Sequence, residues 1–242
     1  MSELNNQYFL PVDYRRQLSA VAANCHQDGA SYWGAGRSFN ARYSQWAVYQ
    51  HARALASRKH CPVIWDVGCG VGLKLSDVVG SIQGAYGVGF DQPYAIAQAI
   101  NGQSLRVAFR AADLSDFDAA SEPSPDVIVC ADVIEHLANP SDLLARLRSS
   151  CSPKTAVVIS TPDRHRLHGE FNRSPVNPMH VQEWNVREFR QLVNASGFQV
   201  ESVQHFAPTK FVWSARCIRL YLGLVAARAS LFSSMCFELK AG

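Results

Sequence analysis

"VIWDVGCGVGLKL", residues 63–75, decides how this chain is read. An apolar, β-branched run ends near an acid, glycines stand at 68, 70 and 72, and a helix-compatible run follows. That is the order strand, turn, helix. Glycine in such a turn permits positive φ and lets a ligand approach the backbone without meeting a Cβ. The acid in front, Asp66, constrains the charge of that ligand, because a carboxylate attracts a cation and repels a pyrophosphate.

Outward from this turn, "VIWDV", "AYGVGF", "LRVAFRAAD", "DVIVCAD" and "TAVVIS" alternate with helix-compatible "LKLSDVVG", "PYAIAQAIN" and "PSDLLARLRSSC". Strands alternating with helices predict a parallel sheet with right-handed crossovers. After "STP" (160–162) a polar loop rich in His, Arg, Asn and Pro runs to about residue 180. A helix, "NVREFRQLVNASG", then ends at Gly197, and "FQVESVQHF" and "SMCFELKA" read as two more strands, paired antiparallel at one sheet edge. The expected fold is α/β, a Rossmann-like doubly wound sheet of seven strands, mostly parallel. Residues 1–60, with a helical run at "ARYSQWAVYQHARALAS", are expected as an N-terminal helical cap, and 61–242 as the main domain. The apolar, arginine-dotted stretch 208–233 is expected as a helical lid inserted between the last two strands.

Composition sets outer bounds. With 242 residues, 48% hydrophobic and 18% charged, the chain can bury a large core. Its 23 basic against 20 acidic residues do not point to nucleic acid. Seven cysteines without a C-x-x-C pair, and an opening "MSELNNQYFLPVDYRR" without an apolar signal core, favour a reducing cytoplasm. "LYLGLVAARASLF" (220–232) is interrupted by Arg228 and shorter than the roughly 18 to 20 residues that cross a bilayer. The basic, apolar segment 211–232 is compatible with lying on a membrane surface.

A dinucleotide site would also want an acid about 20 positions on, and Asp91 supplies one. The glycine spacing separates the two readings: G-x-G-x-x-G from Gly68 would require glycine at 73, where Leu73 stands, and the chain reads D-x-G-x-G-x-G. In these residues it resembles the class I S-adenosylmethionine-dependent methyltransferases, over roughly residues 60–205. The resemblance implies that the loop Gly68, Cys69, Gly70 and Gly72 lies along the methionine and ribose of S-adenosylmethionine. It further implies that Asp66 reaches the cofactor's amino group directly or through water, and that Asp91, with Gln92 beside it, chelates the ribose hydroxyls. Asp113 and the Leu114 N–H would meet the adenine, and Ala131 would border the sulfonium. Arg42 and Tyr43 match N-terminal residues placed over the cofactor carboxylate.

The sulfonium methyl is already activated, so the protein must align an acceptor, exclude water and, for a hydroxyl, take a proton. His136 in "ADVIEHLANP" and His180 in "STPDRHRLHGEFNRSPVNPMHVQEWN" are the candidate bases. "IEHLANP" and the histidine before Trp184 resemble the branch containing ubiquinone-biosynthesis O-methyltransferases and natural-product and sugar methyltransferases. In that branch an acid, Glu and His can hold a divalent cation, mapping here to Asp132, Glu135 and His136. Neighbours on a regular element point apart, so no metal is expected. Arg164, His165, Arg166, His168 and Arg173 form a cluster that would attract an anionic acceptor. Trp33, Phe39, Trp46 and Trp213 are candidates to line an acceptor pocket. The expected activity is methyl transfer to a hydroxyl of a small molecule. Transfer to nitrogen and a cofactor-binding regulator without catalysis stand as alternatives.

Overall fold

A computed structural model of the chain describes residues 8–20, 42–99, 106–114, 117, 119–212, 214–226 and 229–242. Seven strands form one sheet: β1 (Val63–Val67), β2 (Tyr86–Asp91), β3 (Val107–Ala111), β4 (Val127–Ala131), β5 (Ala156–Pro162), β6 (Phe198–Phe206) and β7 (Ser234–Ala241). Their order is β3-β2-β1-β4-β5-β7-β6. The first five are parallel, and β7 runs antiparallel to both β5 and β6. The expected terminal pair is therefore present, with β6 as the edge and β7 inserted beside β5. β1 and β4 are apolar throughout except for Asp66, as strands covered on both faces must be.

Alternate residues of a strand face opposite sides, and this separates two cores. Trp65, Val67, Ile128 and Cys130 pack with Phe117, Phe189 and Phe237 on one face. Ile64, Val127 and Val129 pack with Val48, Tyr49, Leu75 and Val78 on the other. The second layer is built by helices α1 (Trp46–Ala56) and α2 (Leu73–Gly80), which touch each other, with α1 also lying on β4 and β5. Helices α3 (Pro93–Gln98) and α4 (Pro140–Ser149) each begin with proline, whose fixed φ suits a first turn.

The polar stretch after β5 is not all loop. Asp163 caps a short helix, α5 (Arg164–His168), by accepting from the His165 and Arg166 N–H groups. Helix α6 (Val186–Ala195) starts in a reciprocal capping box between Asn185 and Glu188, and Gly197 follows its end at φ 82°. Between β6 and β7 the chain forms α7 (Ala215–Ala226), within the segment expected to be helical. No helix among the described residues is long and apolar enough to cross a membrane.

Candidate active site

Residues 68–72 turn from β1 into α2 at the carboxyl end of the sheet, where β1 separates chain halves running to either side. Gly68 and Gly72 have φ of 84° and 74°. A Cβ on Gly68 would stand 2.2 Å from Val133 Cγ2, and one on Gly72 2.2 Å from the Phe109 ring, so packing as well as φ penalises any other residue. The Gly68 and Cys69 N–H groups both donate to the Phe90 carbonyl, which clamps the turn against β2.

Asp91 ends β2 beside this turn. Its Oδ2 accepts from the Gly70 N–H at 2.7 Å, and its Oδ1 from the Gln92 N–H at 2.8 Å. Burial raises its pKa, and these two N–H groups oppose that shift. Each oxygen still has accepting capacity, so the carboxylate is aimed and can take two hydroxyls.

Strand alternation puts Asp66 on the same face as Ile64, toward α1. There it is fully buried, and the Tyr49 hydroxyl donates to its two oxygens at 2.9 and 3.0 Å. Burial raises its pKa to about 7, against the opposing pull of the Lys74 cation and the Tyr49 hydrogen bond. Lys74, on α2, lies 4.9 Å from the Tyr49 ring centre and donates to Gln45 Oε1 at 2.8 Å. Its pKa is lowered by burial, while Asp66 and Asp132 favour the charged form. Gln45 in turn donates to Asp132 Oδ2 at 2.9 Å, and Ser160 donates to Asp132 Oδ1 at 2.8 Å.

Gln45 and Asp132 both have left-handed backbones, φ 52° and 53°, which side chains other than glycine adopt at a cost. The network thus joins α1, α2, β1 and the ends of β4 and β5 around two acids, Asp66 and Asp132, and one lysine. The sequence reading missed Gln45, Tyr49, Lys74 and Ser160. Two signals were available: Gln45 and Tyr49 are four apart at a helix start, and Lys74 is the one cation of the helix that follows the glycine turn. Burial, together with Asp66 and Asp91, keeps the Cys69 thiol protonated, so it is no nucleophile.

Of the other expected cofactor residues, Asp113 is exposed and Leu114 buried just beyond β3, at the same sheet end as Asp91. Ala131 is buried at the end of β4, paired with Ser160. Arg42 is exposed, and the Tyr43 carbonyl accepts from the Lys210 N–H. Trp33, Phe39 and Trp213 lie outside the described residues. Trp46 stands at the surface with the Lys210 ammonium 4.6 Å from its ring centre.

The two histidines come together, with ring centres 4.9 Å apart and the planes edge to face. His136 Nδ1 donates to the Met179 carbonyl at 2.8 Å, which leaves the lone pair on Nε2, the form a base requires. His180 is committed at both nitrogens: Nδ1 meets Glu183 Oε1 at 2.6 Å and Nε2 meets Asn177 at 2.9 Å. Burial would raise the Glu183 pKa, but His168 and His180 on either side outweigh it and the carboxyl is held low.

The three residues mapped to a cation do not converge as a set. Asp132 is taken by Ser160 and Gln45, and Glu135 accepts from Thr161 at 3.0 Å. The expectation that Glu135 and His136 point apart needs correction. They sit on a 3-10 turn, Ile134–His136, and their ligand atoms lie with one from His180 within 4.8 Å of one another. Glu135 is fully buried, its Oε1 has no partner, and burial plus the nearby Asp132 push its pKa well up. A cation here would compete with Asn177 or Glu183 for the His180 ring nitrogen it takes.

The basic cluster is also spent internally. Arg164 is fully buried, paired with Glu188 at 2.7 Å and 4.9 Å from the Tyr14 ring centre. Arg173 pairs with Asp13, Arg166 with Asp163, and His165 meets Asn185. These partners bind the loop to α6 and the N-terminal segment.

Comparison with known proteins agrees with this geometry. A family model described as a methyltransferase domain matches residues 23–203. A probable S-adenosylmethionine-dependent methyltransferase of Mycolicibacterium smegmatis is 29% identical over 154 residues, 64% of this chain and 57% of that protein. A ubiquinone biosynthesis O-methyltransferase of Hahella chejuensis is 29% identical over 106 residues, 42% of this chain and 44% of that one. The matches thus span about half the length of these curated relatives. Among solved structures, the complex between the Haloferax volcanii Trm112 methyltransferase activator and a methyltransferase matches with TM-score 0.69 and 17% identity, over 89% of this chain and 96% of that chain. The mitomycin 7-O-methyltransferase MmcR matches with TM-score 0.60 and 14% identity, over 92% and 60%. The structural matches speak for the fold, and the family model, spanning well over half the chain, places it by sequence: the chain belongs to the methyltransferase-domain family, whose cofactor is S-adenosylmethionine.

Proposed function

We propose that the chain moves the methyl group of S-adenosylmethionine to a hydroxyl of a small-molecule acceptor. The observation that carries the cofactor side is Asp91, whose two oxygens are fixed by the Gly70 and Gln92 N–H groups and keep capacity for a vicinal diol. A site holding Asp66, Asp91 and Asp132 around one lysine favours a ligand bearing an ammonium and a sulfonium over one bearing phosphates. When bound, the cofactor supplies an electrophilic methyl. The chain then has to hold the acceptor in line and take its proton, and His136, whose ring is oriented by the Nδ1–H bond to the Met179 carbonyl, is the better candidate for that task. His180 acts through contact with His136, because Glu183 and Asn177 occupy its own nitrogens. The O-methyltransferases among the relatives and neighbours support oxygen as the acceptor atom.

The test has two stages. Thermal unfolding with S-adenosylhomocysteine, and with NADH as control, should show a shift for the first ligand only, lost in Asp91→Ala; at a hundredfold excess over Kd the shift reports about 2.7 kcal/mol. Transfer of labelled methyl to panels of hydroxylated and amine acceptors should then favour hydroxyls and fall about 100- to 10,000-fold in His136→Ala with S-adenosylhomocysteine binding intact. Transfer to amines alone, or an unchanged rate without His136, would overturn this assignment.

A further inference from the structure

The segment between β6 and β7 presents a surface apart from the side chains described at the site. Phe211, Ile218, Leu220, Leu222, Val225 and Phe232 are exposed, six large apolar side chains within 22 residues. Helix α7 touches the protein along Cys217, Tyr221 and Leu224, one face at i, i+4 and i+7. Ile218, Leu222 and Val225 repeat the same spacing on the flank beside it and form an exposed apolar ridge with no partner among the described residues. Arg219 borders the ridge.

The charge here is one-sided. Residues 208–232 contain Lys210, Arg216, Arg219 and Arg228 and no Asp or Glu. The rest of the chain has 19 Lys and Arg (23 less these four) against 20 Asp and Glu, so this segment carries the whole positive excess. Apolar residues at the surface beside cations, without a single acid, are complementary to an anionic lipid headgroup layer over hydrocarbon.

The segment is also fastened to the mouth of the site. The Gln45 N–H donates to the Pro208 carbonyl, Ser44 bridges Thr209, and the Lys210 N–H donates to the Tyr43 carbonyl. Tyr221 on α7 closes the strap by donating to the Thr209 carbonyl at 2.7 Å and packing on Phe211. The turn so held carries Gln45, which touches both Lys74 and Asp132.

We infer that the α7 ridge, with Phe211, Phe232 and the exposed cations Lys210 and Arg219, seats this protein on an anionic membrane surface and sets the mouth of the site at the lipid–water boundary. The seat requires no cofactor, so it stands or falls apart from the methyl-transfer reading. The test is sedimentation of the full chain with sucrose-loaded vesicles, of equal parts phosphatidylcholine and phosphatidylglycerol or of phosphatidylcholine alone. Sedimentation with the mixed vesicles that drops on pure phosphatidylcholine and in high salt is the expected result. Arg219→Gln should weaken it about fivefold, and Leu222→Ser with Val225→Ser about tenfold or more. Thermal midpoints equal to the parent protein's would show that the variants fold. No sedimentation, or equal sedimentation by the variants, overturns the inference. So does a concentration-dependent dimer in analytical ultracentrifugation that the Leu222→Ser, Val225→Ser protein no longer forms, since the ridge would then belong to a second copy of this chain.

Discussion

Asp66 should make cofactor binding depend on pH in a range where an ordinary aspartate would not. In the free protein burial holds its pKa at about 7, so half of the molecules carry it neutral near neutrality. A cofactor amino group paired with this side chain requires the ionised form. Apparent affinity then scales with the ionised fraction, which rises from about 0.1 at pH 6 to about 0.9 at pH 8, so Kd for S-adenosylhomocysteine should tighten roughly tenfold across that interval.

Asp66→Asn keeps an acceptor for the Tyr49 hydroxyl and removes the charge. Its Kd should be weaker at pH 8 and nearly flat from pH 6 to 8. The same shift has a consequence for stability. An acid whose folded pKa lies above its ordinary 3.8 is more protonated folded than unfolded, so its contribution is complete at low pH and is lost as pH rises through 7. Asp66→Asn should therefore be the more stable protein, by a margin that widens from pH 4 to pH 7 and levels off at about 4 kcal/mol. Isothermal titration calorimetry at several pH values and urea unfolding of both proteins measure the two effects. A flat Kd for the parent protein would refute the reasoning, as would an equal slope in Asp66→Asn, which would put the titrating proton on another group or on the ligand.

Two further substitutions probe the frame. Gly72→Ala puts a methyl 2.2 Å from the Phe109 ring at φ 74°, and the left-handed backbone together with overpacking should cost about 2 to 4 kcal/mol in urea unfolding; a loss under 1 kcal/mol would mean that the turn relaxes freely. Glu188→Ala strips Arg164 of its buried partner and removes half of the α6 capping box, for a loss of about 3 to 5 kcal/mol. If the stranded charge is the cause, adding Arg164→Met to Glu188→Ala should recover much of that loss, and no recovery would assign it to the cap instead.

The sheet was legible because its central strands are apolar on both faces, and because "DVGCGVG" reads as a glycine turn from strand to helix that a ligand can approach closely. Asp91 was legible as an acid at a strand end, and its contact with Gly70 agrees with that reading. The partners of the cluster Arg164 to Arg173 were not legible, for the opposite reason. Charge in a sequence says nothing of what lies across from it, and Arg164 is buried against Glu188, 24 positions away. The length of the polar stretch likewise concealed α5, because one Asp163 cap on a five-residue helix leaves no periodicity to detect.

What the sequence determined by itself was the order of strands, the glycine turn and the acids at successive strand ends, because these follow from local pattern and from the direction in which a parallel sheet presents its ends. Only the tertiary structure decided which groups share a charge environment. Tyr49 beneath Asp66, Lys74 against Gln45, and His180 edge-on to His136 are meetings between elements distant in the chain. Protonation and reach depend on burial and on distances of a few ångströms, and those exist only once the helices are laid on the sheet.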